Sequence, residues 1–211
     1  MAGDSCKPVH KMRALIFLGF LAIALEVNAQ QDVYKDVSQT NSLVLYARVN
    51  TGAAARDIRY PDDAYDRIWR LFITPTVWSD INSSQPIQTS PGDAFQVPAA
   101  VMDTAVTPAN DTSLAFSFGA DTGVVYYVYM HFAEFNALSQ TENRKFDVFV
   151  NDALEVSGFK PEYLLSTHIG LSVTSAVGAE LTYNFTLTST SDSSFPPIIN
   201  AIEIYSVLPL Q

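Results

Sequence analysis

The chain has 211 residues, of which 12 are basic and 22 acidic, giving a net charge of −10 at neutral pH. Phosphate contacts need a basic surface, so this balance excludes nucleic acid and anionic lipid from the expected partners. The single cysteine, Cys6, excludes an internal disulfide framework, so a fold held outside the cell must rest on an apolar core.

Lys7, Lys11 and Arg13 precede an unbroken apolar run from Ala14 to Leu25, and Val27 and Ala29 then stand at the −3 and −1 positions of a small-residue cut site. The pattern predicts an export signal over residues 1–29, cleaved between Ala29 and Gln30, with Met12 as an alternative start. A membrane span needs about 20 apolar residues, more than this run supplies. Cleavage leaves 182 residues with 9 basic against 20 acidic, and the imbalance is local: from Leu71 onward only Arg144, Lys145 and Lys160 face fourteen acids. Behind such a signal, the sequons at Asn82, Asn110 and Asn184 predict N-glycans on exposed asparagines of a secreted or cell-surface protein.

Helical periodicity is nearly absent after residue 29, whereas β-branched and aromatic runs alternate with Pro, Gly, Asn, Asp and Ser clusters. Asn41–Asn50, "NSLVLYARVN", reads as the first strand, followed by a charged connecting segment from Thr51 to Trp69. "LFITPTVW" is the next expected strand, and Ser79–Pro91 a long turn-rich stretch. "AFQVPAAVMDTAVT", "SLAFSFGA", "GVVYYVYMHFAEF", "RKFDVFVND", "LLSTHIGLSVT", "AELTYNFTLTST" and "PPIINAIEIYSV" follow, a spacing that predicts an all-β sandwich or jelly roll. In "VVYYVYMHF", Val124, Tyr126, Val128, Met130 and Phe132 share one face and are the expected core, while Val125, Tyr127, Tyr129 and His131 share the other. Both faces are apolar enough to predict a central strand that is partly covered on its second side. The same alternation turns Phe146, Val148 and Val150 inward.

Catalytic material is sparse. After the signal there are two histidines, His131 and His168, no cysteine and no Gly-x-Ser-x-Gly, so neither a metal site nor a nucleophilic triad is expected, nor any cofactor. His131 reads as a hydrogen-bonded structural imidazole. Glycoside hydrolysis needs only two carboxyl groups about 5 to 10 Å apart, but Glu134, Glu142, Asp147, Glu155 and Glu162 show no acid/base spacing.

"YYVYMHFAEF", "NRKFDVFVND", "DDAYDRIW" and "TSTSDSSFPPIINAIEIYSV" resemble the malectin-like extracellular region of plant leucine-rich-repeat receptor-like kinases, over about Asn41 to Leu208. The resemblance implies a malectin-type β-sandwich in which Trp69, Phe132, Glu134, Arg144, Phe146, Pro197 and Asn200 are structural. It also implies two lobes in tandem, so residues 30–70 are expected to be a remnant of a first lobe with its bridge, 71–208 the second lobe and 209–211 a tail. It implies a non-enzymatic recognition function, with an extracellular peptide, a co-receptor or a cell-wall carbohydrate as partner. At the positions where the fold's animal lectin stacks sugar, this chain has Asn136 and Ala137, and near its final strand Phe195 replaces an acid. An oligosaccharide-binding module is the alternative, with Trp78, Tyr127, Tyr129 and Asn136 as candidate ligand residues, and a glycosidase a third reading. Without a first lobe, Tyr60, Tyr65, Ile68 and Trp69 would form an exposed patch beside an unpaired strand 43–50, which predicts self-association through the bridge.

Overall fold

Alternating β-branched and aromatic residues set the strands, and in the computed structural model, which describes residues 33–35, 41–52, 56–174 and 181–208, they pair into two main sheets. In chain order the strands are β1 (Val33–Lys35), β2 (Leu43–Asn50), β3 (Arg70–Leu71), β4 (Trp78–Asn82), β5 (Thr104–Pro108) and β6 (Ser113–Ala120). They continue with β7 (Val125–Phe132), β8 (Phe146–Val150), β9 (Ala153–Phe159), β10 (Thr167–Thr174), β11 (Leu181–Ser189) and β12 (Ala201–Val207); a helical turn, α1 (Ala99–Met102), precedes β5. One sheet runs β1-β10-β7-β12-β2-β3, the other β6-β11-β8-β9, and β4 pairs with β5 apart from both. The signal region, its cleavage site at Ala29 and Gln30, and the tail 209–211 lie outside the described residues.

The core fills the space between the sheets. Tyr126, Val128, Met130 and Phe132 of β7 meet Phe146, Val148 and Val150 of β8 and Phe185 and Leu187 of β11, as the alternation predicts. Phe132 is central, with Phe146 at 5.5 Å and Phe159 at 5.0 Å between ring centroids.

The other face of β7 is buried as well. It lies under residues of the 56–69 segment and of the 87–102 stretch, which bring Ile58, Trp69, Ile87, Val97, Val101 and Met102 into a second apolar cluster. Beneath them runs a belt of buried polar groups. Arg48 of β2 is bonded to Glu203 of β12 through Nε, and its Nη2 donates to the Tyr205 hydroxyl at 2.7 Å. Burial alone would push the Glu203 carboxyl up, but His131 and Arg48 together hold it down to about 2. Asn200 joins three segments: its Nδ2 donates to the carbonyls of Met102 at 2.7 Å and Thr104 at 3.1 Å, and its Oδ1 accepts the Ala133 N–H at 2.9 Å.

Several expectations need correction. Leu43–Asn50 is not left unpaired, because β2 pairs along its length with β12, from Asn50 opposite Ala201 to Leu43 opposite Val207. Trp69 is no part of an exposed patch: it is fully buried, its Nε1–H donates to Asp63 Oδ2 at 2.8 Å, and the Arg48 and Arg67 guanidiniums sit 5.4 and 5.3 Å from its ring centroid. Of that group only Tyr60 and Tyr65, each 66% exposed, face solvent strongly. "LFITPTVW" holds only the ends of two strands, β3 and β4, and β4 runs on into the stretch read as turns. Within "AFQVPAAVMDTAVT", Pro98 is the extended residue just before α1 rather than an interruption of a strand. β9 was hidden behind Asn151 and Asp152, both at positive φ, which make the two-residue turn of a β8–β9 hairpin.

Truncating the central aromatic, Phe132→Ala, is expected to destabilise the domain by about 3 to 5 kcal/mol in denaturant titration. Glu203 carries a second expectation. Its folded-state pKa lies below the ordinary value, so its stabilising effect is complete above about pH 4.3 and is lost as pH falls toward 2. Acid unfolding followed by tryptophan fluorescence should show a shallower loss over that window in Glu203→Gln.

Candidate functional site

Just past β7 the chain leaves the sheet at Ala133 and Glu134. Glu134 forms a parallel bridge to the 162–164 segment, its N–H donating to the Glu162 carbonyl and its own carbonyl accepting the Leu164 N–H, both at 2.9 Å. Arg144, two residues before β8, is buried against it: Nε donates to Glu134 Oε2 at 2.6 Å and Nη2 lies 3.4 Å from Oε1. Oε1 also accepts the Asn136 N–H at 2.9 Å. The guanidinium donates through Nη1 to the Pro196 carbonyl and lies 5.5 Å from the Phe195 ring centroid. One cation thus ties together the segments after β7, before β8 and before β12.

Above this base opens a cleft of about 380 Å³, whose rim includes Asn136, Leu138, Glu142, Asn143, Lys160 and Tyr163. Tyr163 is 46% exposed and offers an aromatic face. Glu142 Oε2 accepts the Ser139 N–H at 3.1 Å, a bond that holds its carboxyl below the usual range. The Asn143 Oδ1 is buried without a hydrogen-bond partner among the described residues. The cleft therefore presents a cation, a carboxylate and an aromatic ring over a base whose own charges neutralise each other.

Among the predicted ligand residues, only Asn136 lines this cleft. Tyr127 and Tyr129 are corrected: at 3% and 7% exposure they offer no stacking face, and burial pushes the Tyr129 phenol up to about 12. Trp78 is half-buried, stacked on Phe72 at 5.5 Å. Lys160, Tyr163 and Asn143 were missed. The signal for Tyr163 lies in "KPEY", an aromatic in a charged, proline-containing turn. The family-motif residues Phe132, Phe146, Pro197 and Asn200 are all buried, as Glu134 and Arg144 are. Asn82, Asn110 and Asn184 are all exposed, Asn184 on the solvent face of β11. Among the described residues no group of three His, Cys, Asp or Glu side chains could hold a metal, and no helix is long and apolar enough to cross a membrane.

The model of the malectin-like domain matches residues 21–207. The chain belongs to the malectin-like domain family. Its relatives include the probable LRR receptor-like serine/threonine-protein kinase At1g51860 of Arabidopsis thaliana, 36% identical over 182 residues, 82% of this chain and 20% of that protein. The putative leucine-rich repeat receptor-like protein kinase At2g19210 of the same plant is 36% identical over 204 residues, 94% of this chain and 22% of that one. The malectin-like chain thus spans about a fifth of the length of these curated relatives. Among solved structures, the ANX2 ectodomain from Arabidopsis thaliana superposes with a TM-score of 0.72 at 17% identity, over 85% of this chain and 54% of that one. The complex of plant peptide RALF23 with FER and LLG2 gives 0.70 at 17%, over 86% and 54%. At such identity these structures show a shared fold, that of receptor-kinase ectodomains.

Removing the base cation isolates a buried carboxylate, so Arg144→Ala is expected to cost about 3 to 5 kcal/mol in chemical denaturation. The paired change Glu134→Leu with Arg144→Met should recover most of that loss, because no charge is then stranded.

Proposed function

We propose that this malectin-like domain is a non-enzymatic extracellular recognition module of the receptor-like-kinase type, and that it reads a peptide or a co-receptor surface through the cleft above Arg144. The observation that carries this reading is the division of labour at the cleft: Glu134 and Arg144 are bonded to each other and to the backbone, while the exposed Lys160 and Tyr163 stand at the opening. The fold shared with a receptor ectodomain solved together with a peptide and a second protein supports it. So does kinship to leucine-rich-repeat receptor kinases, which favours a place at the cell surface, at the plasma membrane where a span follows.

A hydrolase is poorly served by the same residues. Both Glu134 oxygens are engaged by Arg144 and by the Asn136 N–H, Asp147 Oδ1 accepts Ser157 Oγ and the Gly158 N–H, and Glu155 pairs with Lys35. A second reading, an oligosaccharide in this cleft, is favoured by the exposed Tyr163 ring alone, since Asn136 and Ala137 supply no stacking surface. We also propose N-glycans at Asn82, Asn110 and Asn184.

The test is binding by the secreted chain to arrays of extracellular peptides, receptor ectodomains and cell-wall oligosaccharides. Retention of a peptide or ectodomain, weakened at least about tenfold (roughly 1.4 kcal/mol) by Lys160→Glu or Tyr163→Ala with thermal stability unchanged, is the expected result. Binding insensitive to both substitutions would overturn the cleft assignment. Retention of sugars alone would select the second reading.

A further inference from the structure

His131 of β7 and His168 of β10 are directly opposite each other in the ladder, both fully buried, with their Nδ1 atoms 2.7 Å apart. Each ring turns its other nitrogen to a carboxylate. His168 Nε2 lies 3.1 Å from Asp93 Oδ2, and His131 Nε2 lies 3.3 Å from Glu203 Oε2, within ion-pair range but outside good hydrogen-bond geometry. A bare nitrogen lone pair facing a carboxylate at these distances is repulsive, so both Nε2 atoms carry protons. The 2.7 Å approach then requires a proton on one Nδ1 and a lone pair on the other. Two lone pairs, or two N–H groups, would repel across that gap. The geometry points to a histidine pair that holds three ring protons and one positive charge, acting as a proton-controlled latch for the Ser90–Val97 loop over the outer face of the sheet.

The surrounding charges fit this state. Asp93 from the loop and Glu203 from β12 supply two negative charges, and Arg48 from β2 supplies one positive, so the singly charged pair brings the buried group to neutrality. Among the described residues the other titratable groups nearby include phenols: Tyr129 on β7 itself and Tyr205 on β12, both with pKa values raised by burial, and Tyr34 of β1, whose ring stacks on Phe95 at 6.4 Å. Behind Trp69, whose ring meets His131 edge-on at 6.0 Å, Asp63 and Arg67 pair with each other. Burial lowers the tendency of His131 to charge, Glu203 opposing it, and the positive neighbour His168 lowers it further. A fourth proton on the pair is thus resisted by the folded state.

The latch acts on the loop through Asp93 and Phe95. Asp93 Oδ1 accepts the Phe95 N–H at 2.8 Å while its other oxygen faces His168, and the Phe95 ring covers both imidazoles at centroid distances of 5.1 and 4.8 Å. Beyond it, Gln96 and Val97 form one wall of a depression of about 250 Å³ beside the exposed Tyr65. Entry of a fourth proton forces two N–H groups together, drives the rings apart and loosens the Asp93–Phe95 turn, reshaping that depression. The sign follows from proton counting. The unfolded chain takes up a proton on the His131 ring below about pH 6.5, which burial and the facing ring resist in the folded state, so the latch weakens as pH falls from there.

The test uses the unmodified secreted chain. Nitrogen-15 spectra of the histidine rings near pH 6.5 should show both Nε2 atoms protonated and one proton shared between the Nδ1 atoms. Hydrogen-exchange protection of the Phe95 and Gln96 amides, corrected for intrinsic rates, should fall at least about tenfold between roughly pH 6.5 and pH 4.5. In His168→Gln, whose amide bonds without titrating, the fall should vanish. Two neutral imidazoles at pH 6.5, or wild-type protection that is constant across the range, would overturn the inference without need of the variant.

Discussion

A strand buried on both faces cannot leave its polar neighbours to water, and β7 imposes that constraint on the whole domain. Its inner face joins an aromatic core, which needs only complementary shape. Its outer face carries His131 and lies among His168, Asn200, Glu203 and the partly buried Arg48, polar groups that must find partners inside the protein. The segments that cross this face supply them as well as apolar cover: Asp93 meets His168, and the Met102 and Thr104 carbonyls meet Asn200. The long connections flanking β3 and β4 are thus a third layer of the structure, as fixed by hydrogen bonds as the sheets are by their ladders.

The cleft follows from the same economy at the end of β7. Glu134 ends the strand inside the protein, where a lone carboxylate would be costly, and Arg144 arrives from the far side of a loop to neutralise it. Because that guanidinium also holds the Pro196 carbonyl, the loops around the opening start from fixed points. The side chains of the exposed Lys160 and Tyr163 then stand over a base that is already fixed.

The two sandwich sheets were legible in the sequence wherever a strand has one apolar face, as the burial alternation of Phe146, Val148 and Val150 shows. The double burial of β7 was legible too, from Tyr127, Tyr129 and His131 lying on a face too apolar for water. What escaped was set by distant partners. Trp69 looks like a surface residue among its charged neighbours until Asp63, Arg48 and Arg67 are seen to enclose it. β9 escaped although the Asn151-Asp152 turn was in plain view, because its sequence, "ALEVSGF", alternates poorly. At the cleft, the base could be named from motif residues, but Tyr163 and Lys160 belong to a loop whose position depends on the bridge to Glu134.

That separation of base from rim bears on how such a domain can change over generations. Substitutions at Glu134 or Arg144 strand a buried charge, so selection on folding acts against them whatever the ligand. Lys160 and Tyr163 are exposed and take no part in that pair, so replacing either changes what the opening presents at little cost in stability. Duplicated genes for this domain can therefore vary the surface of the opening along a path that never passes through an unfolded intermediate, because the base and the rim are written in different residues.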